Sequence, residues 1–166
     1  MNLENIYLQN ALKEFQSQKL LADKTMERML EEQLHWQSNK ESNSMAILVQ
    51  HMHGNMQSRW INFLTEDGEK TWRKRDAEFE DQQFSKEKLL SLWEEGWSTL
   101  FNSLNQLNDT DLSKTVFIRE QPLIVIEAIN RQLAHYSYHV GQMVLLGKFI
   151  LGKDWNSLSI PRKIST

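Results

Sequence analysis

The stretch Arg131-Gln-Leu-Ala-His135-Tyr-Ser-Tyr-His139-Val-Gly-Gln142 carries two histidines four residues apart in a run free of proline and, after Arg131, of charge. That composition predicts a helix, on which residues i and i+4 project from the same face one turn apart. Two imidazoles so placed can converge on one ion. With a period of about 3.6 residues, Ile124, Ala128, Gln142, Leu146 and Phe149 or Ile150 fall within roughly 60° of the pair, which puts both histidines in the middle of the expected inward stripe. Imidazoles buried there need a metal, a carboxylate or a water, because unpaired polar burial is costly. The helix is expected to hold Pro122 in its first turn and to run to about Leu151.

Working outward, three further segments show the same period. Leu8, Leu12, Phe15, Ala22, Met26 and Met29 form the stripe of a first helix, and Glu31 to Trp36 end it or add a short turn. Gln37 to Ser44 is a polar connection whose last residues can cap a second helix, expected from Met45 to about Leu64. Gly68 is expected to take a left-handed conformation and close that region. Residues 69 to 84 form a long crossover, and its length allows the third helix to lie parallel to the second. That third helix starts at Ser85, with Leu89, Trp93, Gly96, Leu100, Leu104 and Leu107 as its stripe. The β-branched and aromatic Thr115-Val-Phe-Ile-Arg119 reads as a short strand or extended loop. The fold class is all-α, a four-helix bundle, in a single domain spanning 1–166.

Composition narrows the chemistry. A chain of 166 residues, 40% apolar and 25% charged, can bury a full core. Its net charge of −3 disfavours nucleic acid as a partner. The basic cluster Lys70 to Arg75 is flanked by Glu66, Asp67, Glu69, Asp76 and Glu78, and reads as a solvated, ion-paired surface. The absence of cysteine removes disulfides, thiolate nucleophiles and iron–sulfur clusters. No signal peptide or membrane span is evident, so a cytoplasmic location is expected.

A third ligand must come from His35, His51 or His53, the remaining histidines. His35 lies in the connection and reads as a surface residue. His51 and His53 point about 200° apart on a helix, so only one can join the pair, and periodicity does not choose between them.

Gln50-His-Met-His-Gly-Asn-Met-Gln-Ser-Arg-Trp60, Phe63 to Phe79 and Ile129 to Gln142 together resemble the DinB/YfiT-like superfamily, counted as metalloenzymes. More narrowly, they resemble a subfamily of small, uncharacterised bacterial members, and the likeness covers essentially the whole chain. It implies a four-helix bundle in an up-down-down-up arrangement, with one metal-binding histidine on the second helix and two on the fourth. By position the second-helix ligand is the histidine after Leu-x-Gln, His51, so the implied metal set is His51, His135 and His139.

Three neutral imidazoles would leave a divalent ion at least one open position, unlike a closed structural site. Such an ion can activate a water or a thiol. Imidazole suits zinc, nickel or iron, zinc or nickel being the first expectation. Asn55, Arg59, Arg131, Gln132 and Gln142 are the candidate polar neighbours or substrate contacts. Tyr136, Tyr138 and the six tryptophans read as packing residues. The resemblance suggests a metal-dependent enzyme acting on a small molecule, by transfer of a low-molecular-weight thiol of the bacillithiol type or by hydrolysis. The alternative is a non-catalytic, stress-related metal- or ligand-binding module. A homodimer is expected, with Trp72 or Trp155 at its surface.

Overall fold

The computed structural model describes residues 2–160. Met1 and residues 161–166, the two ends of the expected 1–166 domain, lie outside the described residues. The chain is mostly helical: α1 (Leu3–Glu27), a short α2 (Glu31–Leu34), α3 (Met45–Trp60), α4 (Lys86–Asn105) and α5 (Val125–Leu151). Two strands, β1 (Thr115–Ile118) and β2 (Gln121–Ile124), pair antiparallel just before α5.

Polar side chains start three of the four long helices, and two of them, Ser44 and Ser85, stand where the sequence places them. Asn2, Ser44 and Ser85 each accept a hydrogen bond from the backbone N–H three residues on, satisfying a donor that the first turn leaves free. The apolar stripes then meet in one continuous core. At its centre the fully buried Phe15 of α1 meets Trp60, Trp97 and Tyr136 at ring separations of 6.4, 6.3 and 6.0 Å, mostly edge-on. Tyr7 bonds Ile126 and Asn130, and Thr25 lies against Gly147, so α1 runs beside α5. Gln57 reaches Glu95 and Thr99, while Gly96 lets α4 approach the His53 backbone, so α3 runs beside α4. Among the described residues, no helix is long and apolar enough to cross a membrane.

The second long helix ends at Trp60, not Leu64, and the left-handed residue after it is Asn62 (φ 53°). Asparagine tolerates that region because its short polar side chain bonds locally. Gly68 is not left-handed; its value is close approach. A Cβ there would lie 3.1 Å from Arg59 Cδ and 3.2 Å from Ile118 Cγ1, and its N–H donates to the Phe117 carbonyl at 2.8 Å.

Pro122 does not open α5. It sits in β2 opposite Phe117, whose carbonyl is already turned to Gly68, so a residue without an N–H is tolerated there. The β-branched segment needed a partner strand, and forming one delays the helix to Val125.

The inward stripe of α5 is also displaced. Val125, Ile129, Gln132, Tyr136, Val140 and Met143 are buried, whereas Phe149 is 70% exposed. The two histidines therefore lie at the margin of the buried face, not at its middle, with His139 buried and His135 half-buried. Two apolar faces overlap on this helix, and packing against α1 selects the one carrying Tyr136.

His35 is not a surface residue. It is half-buried, with Nδ1 2.8 Å from Asp81 Oδ2 and Nε2 3.1 Å from the Phe84 carbonyl, which pins the end of the crossover. Of the two tryptophans expected at a dimer surface, Trp72 is exposed, but Trp155 packs on Gly147 and beneath Arg28.

Candidate metal centre

Helix α3 supplies His51, and α5 supplies His135 and His139. Their Nε2 atoms turn toward one another, 3.0 Å apart for His135 and His139 and 3.4 Å apart for His51 and His135. All three ligand atoms lie within 4.8 Å of one another. Zinc–imidazole bonds of about 2.0–2.1 Å at tetrahedral angles would set the nitrogens roughly 3.3 Å apart, so the cluster is close to the size of one ion. His53 points away, with Nε2 3.3 Å from Glu95 of α4. The ambiguity left by periodicity is resolved in favour of His51 as the neighbour of the pair.

The outward nitrogens are also placed. His51 Nδ1 is 3.0 Å from Glu78 Oε2, His139 Nδ1 is 3.1 Å from Gln142 Oε1, and His135 Nδ1 is 3.4 Å from Gln132 Oε1. Each partner is an oxygen and so accepts from a ring N–H on Nδ1. In that tautomer the Nε2 lone pairs of the three rings face one another, the arrangement that suits a shared metal ion. Burial, then the neighbouring His139 and His51, push the His135 imidazole down to about 3, and burial lowers His139 as well. Both rings are thus neutral near pH 7, the form that binds metal.

Glu78 is the residue that sequence reasoning missed. It arrives on a 3-10 turn (Arg75–Phe79) of the crossover and is gripped on its other side by Arg73, with bonds of 2.7 and 2.8 Å. The Arg73 side chain is only 2% exposed and that of Glu78 10%. Burial alone would raise the Glu78 carboxyl, yet the bonds from Arg73 and His51 hold it below the usual carboxylate range. It is therefore an anion at the back of the site. Gly54, one turn after His51, makes room for it: any Cβ there would overlap the Glu78 carboxylate. Next to it, the Phe79 ring lies 4.7 Å from the His51 ring.

This corrects the reading of Lys70 to Arg75 as a solvated surface. Lys74 and Arg75 are exposed, but Lys70 and the Arg73 side chain are buried. The available signal was Glu78 and Phe79 following the cluster, a charge and an aromatic residue five and six positions after Arg73.

The histidines open into a cleft of about 500 Å³. All five candidate polar neighbours border it. Gln132 and Gln142 hold His135 and His139. Asn55 instead accepts from the buried Tyr136 hydroxyl at 2.9 Å. Arg59 is buried and bonds the Gly68 carbonyl and Glu69. Arg131 is exposed on the rim.

Fold and site together define a class: a mostly helical protein with three clustered histidines compatible with one metal ion, facing an open cleft. The chain belongs to the family described as protein of unknown function DUF1572, which matches residues 2–164. No curated protein and no solved structure matches it.

Proposed function

We propose that His51, His135 and His139 hold one divalent metal ion and that the protein is a metal-dependent enzyme acting on a small molecule. The observation that carries this is the set of three Nε2 atoms turned toward one another, each ring held by an oxygen beside its opposite nitrogen. Three ligand atoms and a bordering cleft leave room for a substrate, which supports catalysis over a closed binding module. Zinc, nickel or iron(II) suits three neutral imidazoles. When bound, the ion would supply Lewis acidity toward a water or a substrate thiol. The chain's own part is orientation and charge: Glu78, Gln132 and Gln142 fix the rings, and the anionic Glu78 makes His51 a stronger donor.

On this reading the bundle is of the DinB/YfiT-like type, its long helices running up, down, down and up. The pairing of His53 with Gly96 and of Gln57 with Thr99 supports parallel α3 and α4. The pairing of Tyr7 with Ile126 and of Thr25 with Gly147 supports parallel α1 and α5. Thiol transfer and hydrolysis are the two reactions to test.

Elemental analysis of the purified protein beside a His135→Ala variant tests the centre. About one equivalent of zinc, nickel or iron is expected in the parent and a loss of most of it in the variant; equal contents would refute the site. A turnover screen with low-molecular-weight thiols and electrophiles then tests thiol transfer, which fails if no rate depends on metal.

A further inference from the structure

We propose that the substrate of this cleft is an oxyanion, a small molecule carrying a carboxylate or phosphate that docks on Arg75, Arg119 and Arg131 beside the histidines. The inference deepens the metal-enzyme reading and rests on it for what the bound molecule is brought to.

The chain is net acidic, yet five of its nineteen lysines and arginines border this one cleft: Arg59, Arg73, Arg75, Arg119 and Arg131. Neither Asp nor Glu is among the described residues that border it. Two carboxylates stand behind the wall. Glu78 takes Arg73, and Glu69 is shared between Arg59 and Arg119 at 3.1 and 3.0 Å. Five guanidiniums thus line the cleft while the carboxylates paired with Arg59, Arg73 and Arg119 stand behind its wall, and a divalent ion would add further positive charge. Such a concentration of like charge in a concave site is unfavourable when empty and attracts an anion.

The two buried arginines are committed to their carboxylates. The other three have donors to spare. Among the described residues, Arg75 makes only a long 3.5 Å contact with the fully solvated Asp76, and it lies over the Phe79 ring at 4.9 Å, the same ring that touches His51. Arg119 bonds Glu69 through Nε, leaving the outer edge of its guanidinium unused. Among the described residues, the ion pairs of the cleft engage Arg59, Arg73, Arg75 and Arg119, and Arg131 has none.

Arg119 is placed there against local preference. Arg119 and Glu120 form the two-residue turn between β1 and β2 at φ 55° and 63°, a conformation for which Asn-Gly is the favoured pair. Asp67 holds the turn by accepting both N–H groups, at 2.9 and 2.7 Å. A planar guanidinium matches two oxygens of a carboxylate or phosphate, which is why the class is an oxyanion and not a halide or a neutral polar molecule.

The test is calorimetric titration of the full chain, metal-loaded and metal-free, with succinate, with inorganic phosphate, and with succinamide as the uncharged control. Succinate or phosphate is expected to bind, more weakly as salt is raised, and the stronger of the two names the group; succinamide is expected not to bind. Arg131→Gln and Arg75→Gln should each weaken binding about tenfold, or 1.4 kcal/mol. Lys13→Gln, an exposed position of α1 outside the cleft, should not. Metal content, measured on the same samples, should be equal in all of them. Absence of binding by either oxyanion to protein that carries metal would overturn the proposal, as would arginine variants that bind like the parent. Arginine-dependent binding to a protein that takes up no metal would instead uphold the anion site and refute the metal reading.

Discussion

Replacing Gly54 by alanine sets two effects of opposite sign against each other. In a helix interior glycine is worse than alanine by about 1 kcal/mol, so the substitution should stabilise α3. Here, however, the new Cβ would overlap the Glu78 carboxylate and lie 2.6 Å from Glu78 Cδ. Glu78 cannot simply swing away, because Arg73 holds it with two bonds and His51 with a third. Hydrogen bonds to charged groups are worth about 1.5–3 kcal/mol each. Weakening the one to His51 and straining the two to Arg73 should cost about 2–3 kcal/mol against the gain of about 1, a net loss of about 1–2 kcal/mol. Loss of the carboxylate behind a metal-binding imidazole lowers affinity about 10–100-fold. Urea unfolding of the metal-free protein and chelator competition for zinc measure the two quantities separately. A variant that is about 1 kcal/mol more stable and binds zinc unchanged would refute the reasoning, since Gly54 would then be only an unfavourable helix residue.

Two further outcomes are expected. Because His135 and His139 titrate below the ordinary histidine range in the folded state, the unfolded chain binds more protons as pH falls below about 6.5. Stability of the metal-free protein should therefore decline from about pH 6.5 toward 3, by at most about 1.4 kcal/mol per pH unit for His135 and less where water reaches its ring. Thermal melts at pH 7.5, 6 and 5 check this, and a Tm flat over that range would contradict it. Replacing Arg119-Glu120 by Asn-Gly should relieve a left-handed penalty of about 1–2 kcal/mol per residue, offset by the extra chain entropy of glycine and the loss of an exposed ion pair. The net gain of about 1 kcal/mol should raise Tm by roughly 2–4 °C, and a lowered Tm would show that the turn is not strained.

Much of the scaffold was legible because local physics decides it. Ser44, Ser85 and the periodic stripes of α1 and α4 announce themselves in sequence, as does the i, i+4 pair His135 and His139. The exit of α3 was misread because two residues competed for the left-handed role, and glycine is not required where asparagine suffices. Pro122 was misplaced because its fitness for a first helical turn is a local argument, whereas its actual site depends on Phe117 being turned toward Gly68, some fifty residues away. Periodicity located the α5 histidines to the correct side but not to the correct depth, since the choice between overlapping faces belongs to α1. Glu78 and Arg73 show in sequence as charges beside an aromatic residue, but their place in the fold was hidden for the same reason. Nothing in a crossover's own sequence says which helix residue it will lie against, and only the bare surface at Gly54 marks the landing place.

That division of labour separates what holds the histidines from what sets the charge around them. The three imidazoles stand on helices whose other faces build the core, so changing their spacing would disturb the whole bundle. The carboxylate behind His51, and most of the guanidiniums facing the cleft, stand on a crossover and a hairpin tip that carry little of the core. Insertions, deletions and charge reversals in those two segments can retune the electric field at an unchanged triad. The bundle is thereby a fixed chassis, and the charge around its histidines is set by the connections.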